Sequence, residues 1–258
     1  MQSKAKSADD ILVFSPSYRR PTGVTTQAYL PYATYVVSES DAPAYEAQGH
    51  RCWVVPDSAQ GSVCRIRNYI LDNCGSGRVV ILDDDINYIG RWDACKVLRL
   101  KQDQVLEFIE HGFNLAEELG ARYWGVNLLP DKGAYREYTP FAMRSVILGP
   151  FQAFNHLDLR YDEALPLKED YDLSLQVLNK YRITLRFNAY FYSCKQHTNP
   201  GGCASYRTIK RKQHQFDLLQ KKWGSKIVRR DSGAANVNRT KKASYDINPI
   251  VRVPIRGV

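Results

Sequence analysis

A buried strand that runs directly into three acids leaves a chain few ways to fold. Residues 79–82 (Val-Val-Ile-Leu) form an unbroken β-branched and aliphatic run. That is the pattern of a strand covered on both faces. It ends in Asp83, Asp84 and Asp85. Aspartate is a poor strand former, and three adjacent carboxylates repel one another. Beside a core strand such a cluster is costly unless a cation or a set of donors neutralises it. The strand is therefore expected inside a sheet, with its carboxyl end opening on a cleft where α/β sheets bind ligands. The cluster reads either as a site for a metal and a phosphorylated ligand or as a solvated acidic turn.

The flanking sequence repeats the strand signal. Short apolar runs at 11–14, 35–37 and 52–55 alternate with helical spans at 42–47, for which Asp41 can serve as a cap, and at 62–74. In the second span Val63, Ile66, Ile70 and Leu71 share a face, with Arg65, Arg67 and Asn68 elsewhere. Further helices are expected at 104–119 and 172–180, and strands at 123–127, 141–148 and 182–192. A basic helix is expected at about 205–223. Strand–helix–strand alternation predicts an α/β fold with a mostly parallel sheet and crossover helices.

With 258 residues, 44% of them hydrophobic, the chain can build one packed α/β domain with an appendage. No apolar run approaches the roughly 18 residues that span a bilayer, and residues 1–10 lack the apolar core of an export signal. A cytoplasmic protein that does not enter membranes is expected. The six cysteines form no C-x-x-C pair and are expected as free thiols. The sequon Asn238-Arg-Thr240 is read as chance. Charge is unevenly placed: from Lys195 onward 15 Lys or Arg face 3 Asp or Glu, while the preceding part is slightly acidic. That asymmetry points the C-terminal part at a polyanion, or makes it a solubilising surface.

Three other segments carry candidate chemistry. In Leu167-Lys-Glu-Asp-Tyr-Asp172 the acids precede a helix, whose N–H groups and dipole favour negative charge. Asp170 is placed to act as a general base; an ordinary helix cap has the same pattern. His197, in a polar glycine-rich turn after a strand, offers an imidazole for a metal. In the loop after the first strand, Tyr18 offers a face to a base and Arg19 or Arg20 a charge to a phosphate. Arg67 can reach the same cleft.

Taken in order, the nucleotide loop, VVILDDDI at 79–86, LKEDYDLSL at 167–175 and KQHTNPGG at 195–202 resemble the GT-A glycosyltransferases. Among these the chain is most similar to the phage TET/JBP-associated glycosyltransferases. Those are related to the base J glucosyltransferase and modify 5-hydroxymethyl pyrimidines in DNA. The resemblance covers about residues 11–202. It implies a disordered N-terminus at 1–10, a GT-A domain at 11–204 and a basic segment at 205–258 packing on it. It implies that Tyr18, Arg19, Arg67, Asp83 and Asp84 bind a nucleotide sugar, with UDP-sugar as the donor. Asp85 and His197 would hold Mn²⁺ or Mg²⁺, and Asp170 with Glu169 would serve as the base for an inverting transfer. Modified DNA is the implied partner, contacted by Lys210, Arg211, Lys212, Lys221 and Lys222. Three alternatives stay open at this stage: a glycosyltransferase acting on protein, glycan or lipid; a non-catalytic nucleic-acid-binding module; and a nucleotidyltransferase.

Overall fold

Strand-forming runs and amphipathic spans assemble here into one layered sheet. A computed structural model describes residues 10–94, 96–128, 130, 135–194, 208–230 and 247–253. In chain order the elements are β1 (Ile11–Pro16), α1 (Thr26–Tyr29), β2 (Thr34–Ser38), α2 (Ala42–Glu46), β3 (Cys52–Val55), α3 (Val63–Asn73) and β4 (Arg78–Leu82). Then follow the hairpin strands β5 (Ile86–Asp93) and β6 (Lys96–Arg99), α4 (Gln102–Glu118), β7 (Tyr123–Asn127), β8 (Phe141–Ala142) and β9 (Phe151–Asn155). The last are α5 (Glu169–Tyr181), β10 (Leu185–Cys194), α6 (Ile209–Trp223), β11 (Val228–Arg230) and β12 (Pro249–Val251).

The main sheet has the order β3-β2-β1-β4-β9-β7-β10-β5-β6, with β8 beside β10. Strands β3, β2, β1 and β4 are parallel, and β9 runs against both β4 and β7. Strand β10 is parallel to β7 and antiparallel to β5. Most strands thus point one way in a mixed sheet, as expected. The unbroken run of β4 belongs at its centre, where both faces are covered. One face packs on α4 through Val105, Phe108, Ile109 and Phe113, with Trp124 and Phe187 beneath. The other packs on α3 and α5 through Ile66, Ile70, Leu173 and Val177, against Tyr123 and Phe154. A third cluster joins Leu165 and Leu175 to Phe216 and Leu219 of α6 and to Val228 and Ile247.

Several expectations are corrected. The strand expected at 141–148 is only two residues long, because the backbone that follows bonds to side chains instead of a ladder. Ser174 Oγ accepts from Ile147 N–H (2.9 Å) and donates to its carbonyl (3.1 Å). Thr184 donates its backbone N–H to Met143 C=O (3.1 Å) and its hydroxyl to Ser145 C=O (2.6 Å). The strand that lies between β4 and β7 is β9, in which Gln152 interrupts the apolar pattern. Helix α5 starts at Glu169 rather than 172, and three acids occupy its first turn, where the helix dipole favours them. Asp41 precedes α2 without a side-chain cap; its carboxylate instead accepts from the Arg19 N–H (3.1 Å). The described cysteines Cys52, Cys64, Cys74 and Cys194 are thiols and not disulfides. No helix among the described residues is long and apolar enough to cross a membrane.

Candidate active site

The three aspartates leave β4 in different directions and take different parts. Asp84 is fully buried (0% exposed). Its carboxylate is gripped by the Arg20 guanidinium, with Nε at 2.8 Å and a second close contact from Nη2, and by the Ser17 hydroxyl. Ser17 spends its proton on Asp84, so the Tyr45 hydroxyl must donate to Ser17. The Asp84 carbonyl accepts from Thr25 and Thr26 N–H, at 2.8 and 3.1 Å. Burial pushes its carboxyl upward against the pull of Arg20 and Ser17. Asp84, expected among the donor-contacting residues, therefore faces the interior and ties the loop after β1 to the end of β4. Asp83 has its side chain 38% exposed and pairs with Arg67 Nη2 at 3.0 Å. Asp85 is half-buried and has no ion pair among the described residues. Burial, with Asp83 and Asp84 alongside, raises its carboxyl to about 6.

Arg67, expected off the apolar stripe of α3 and within reach of the cleft, is buried, at 4% exposed. It bridges the triplet to the second acidic segment: Nη2 contacts Asp83 and Nη1 contacts Glu169 at 3.4 Å. Its guanidinium also lies 5.6 Å from the Tyr161 ring centroid. A second bridge is made of backbone. Pro150 C=O accepts from Asp83 N–H at 3.0 Å, and the neighbouring Gly149 N–H donates to Asp170 Oδ2 at 3.1 Å. Asp170 Oδ1 accepts from Tyr171 N–H at 2.8 Å. Helix α5 thus presents a carboxylate fixed from two directions, beside a half-exposed acid at a strand end. Such an arrangement can take a proton from a hydroxyl while charged groups are managed alongside.

Asp83, Arg67, Glu169 and Asp170 are brought together by these contacts, and Asp85 adjoins them in the chain. Tyr18 and Arg19 sit on the loop anchored by Arg20. The Arg19 guanidinium lies 4.9 Å from the Tyr18 ring centroid. Arg19 has a left-handed backbone (φ 52°), which turns the chain between the two side chains. His197 lies outside the described residues. Of the basic residues on α6, Lys210, Arg211 and Lys221 are exposed and Lys212 is half-buried. Lys222 is exposed too, but its ammonium is paired within the chain, with Asp162 (2.6 Å) and the fully buried Asp172 (3.0 Å). Asp158 is bound by the Lys180 ammonium (2.6 Å) and the Tyr181 hydroxyl.

Sequence reasoning missed Ser17 and Gly149, and placed Arg20 only as a phosphate contact. The Gly149-Pro150 pair was the available signal for a turn. A separate cavity of about 380 Å³, lined by Arg91, Gln104, His111 and Tyr190, contains none of these acids.

A model of the TET-Associated Glycosyltransferase family matches residues 11–202. Among solved structures the chain is similar to glucosyl-3-phosphoglycerate synthase from Mycobacterium tuberculosis, determined with Mg²⁺ and uridine diphosphate. That likeness has 12% identity and a TM-score of 0.49, over 86% of this chain and 83% of that one. The chain is also similar to a mannosyltransferase from Pyrobaculum calidifontis, determined with GDP-Man and Mn²⁺. Here identity is 14% and the TM-score 0.49, over 82% of this chain and 64% of that one. No curated protein matches.

Proposed function

The chain belongs to the TET-associated glycosyltransferase family, and from that premise we propose that it moves a sugar from a nucleotide sugar, a UDP-sugar in our reading, to the hydroxyl of a 5-hydroxymethyl pyrimidine in DNA. The observation that carries this reading is Asp170. Its carboxylate is aimed by the Gly149 and Tyr171 N–H groups, one residue from the Glu169 that Arg67 ties to Asp83.

A hydroxymethyl group is a poor nucleophile until a base takes its proton. Asp170 accepts that proton as the oxygen attacks the anomeric carbon from the face opposite the leaving diphosphate, which inverts the configuration. Asp83 and Arg67 line the donor side, with Tyr18 and Arg19 receiving the nucleotide. Asp85 suits a hard divalent cation, because it is a carboxylate without an ion pair among the described residues, raised by burial and by its acidic neighbours. Such an ion would neutralise charge on the leaving diphosphate. Among the described residues no group of three or more metal-ligating side chains occurs. Its other ligands would therefore come from donor phosphates, water and His197.

The DNA partner is supported by where the basic helix sits. Gln215 of α6 holds the segment leading into α5 through Ala164 C=O (2.9 Å), so Lys210, Arg211 and Lys221 lie on an element docked beside the base. The test is to incubate the protein with Mn²⁺, a panel of nucleotide sugars and hydroxymethylcytosine DNA, then weigh the digested nucleosides. One hexose mass added to 5-hydroxymethyl-2′-deoxycytidine is expected. Turnover of donor with only free sugar released, on DNA of every composition, sinks the DNA acceptor; product of retained configuration sinks direct attack.

A further inference from the structure

We infer that Gln152, in the middle of β9, is a positioning residue for the base: it holds the Gly149–Pro150 peptide by its carbonyl and so fixes the torsions of Gly149, whose N–H, in the preceding peptide, aims Asp170. This rests on the reading of Asp170 as the base.

Gln152 is 1% exposed, a place where an uncharged amide needs every hydrogen bond it can make. Its Nε2 donates to Gly149 C=O at 2.9 Å. Its Oε1 accepts from the Tyr123 hydroxyl at 2.7 Å and from the Tyr161 hydroxyl. The partners leave one orientation for the amide. The end facing a carbonyl must donate, and the oxygen between two hydroxyls must accept. The amide therefore cannot turn over without losing its bonds.

The Gly149 peptide that it holds is demanding in its own right. Gly149 adopts φ +78°, and a Cβ there would stand 2.1 Å from the Tyr192 hydroxyl. A side chain there is strained and crowded, and neither peptide flanking Gly149 lies in a helix that would fix its plane. Gln152 on the carbonyl side and Asp170 on the amide side supply that constraint. The same buried network reaches the donor side, since Tyr161 gives its ring to Arg67 and its hydroxyl to Gln152. Low local dielectric strengthens such a network when it is complete and makes a defect costly.

The test is Gln152→Glu, read as kcat and KM against pH. A neutral carboxylic acid reproduces the amide: its O–H donates to Gly149 C=O and its carbonyl accepts from both tyrosines. An ionised one places an acceptor against the Gly149 carbonyl and swings the peptide. Burial favours the neutral form at low pH. The expected ratio of variant to native kcat is near one at the acid end. It falls at least about tenfold as pH rises, since small misplacements of a reacting group are expensive; KM for the nucleotide sugar stays unchanged. A ratio that is flat with pH and near one, in a folded variant, overturns the assignment. Should Gln152→Glu fail to fold, the Tyr123→Phe/Tyr161→Phe double variant carries the test. It leaves Oε1 without donors, and kcat should fall with KM unmoved; native kcat overturns the proposal. Asp170→Asn is measured alongside. If that variant turns over normally, the base itself is misassigned and Gln152 falls with it. If it is inactive while Gln152→Glu tracks the native profile, only the Gln152 role is lost.

Discussion

Asp84 and Asp85 are adjacent and identical, yet substitution should affect them oppositely. Asp84 is neutralised from within by Arg20. Arg20→Ala strands a buried carboxylate, and a loss of about 3–5 kcal/mol in urea unfolding is expected. Asp85 has no such partner, and its folded value of about 6 lies above the ordinary carboxylate value of 3.8. The folded state then holds the proton more tightly than the unfolded chain. The cost of ionising Asp85 is absent below about pH 4, grows through the window up to about pH 6 and is complete above it. Without added metal, Asp85→Asn should therefore raise Tm above about pH 6 and leave it unchanged near about pH 4. If Asp85 holds the cation as proposed, Mn²⁺ should raise the Tm of the native protein and leave that of the variant unmoved. An Asp85→Asn protein no more stable than native at alkaline pH would contradict the electrostatic account. None of this division was legible beforehand. Three like side chains in a row carry no mark of which one turns inward, and Arg19 and Arg20 are equally plausible partners until the loop is folded.

Helix α6 divides its lysines in the same manner. Lys222→Ala removes an ammonium from the buried Asp172, which keeps Trp223 Nε1 (2.8 Å) and Gln176 Nε2 (2.7 Å). It should cost about 1–3 kcal/mol of stability and leave the salt dependence of DNA binding untouched. Lys221→Ala should do the reverse: native stability, with the slope of log affinity against log salt reduced by about 0.9 if Lys221 meets a phosphate. Lys221 and Lys222 are neighbours in a basic run, so composition could not separate them. The elements that sequence did expose are those with unbroken patterns. β1, β2, β3, β4 and β7 are apolar runs, and α3, α4 and most of α5 carry a helical stripe. The elements it hid depend on partners far along the chain. β9 is a strand despite Gln152, because Tyr123 and Tyr161 satisfy the amide. The segment before it is irregular despite its apolar residues, because Ser174 and Thr184 take its backbone.

The acids and their supports come from distant parts of the chain: the loop after β1, helix α3, the end of β4, the turn before β9 and the start of α5. The family match stops at residue 202, yet Phe216, Leu219, Val228 and Ile247 complete the apolar cluster around Leu165 and Leu175. A protein cut after residue 202 should therefore unfold at lower urea with a broadened transition, and it should lose donor turnover as well as DNA affinity. Loss of DNA affinity alone, at native stability, would mean that the tail is only a handle for the acceptor. The docking of Trp223 and Lys222 on Asp172 has a practical corollary. Whoever grafts another module onto this enzyme should splice beyond Trp223, since that indole and its neighbouring ammonium belong to α5 as much as to the tail.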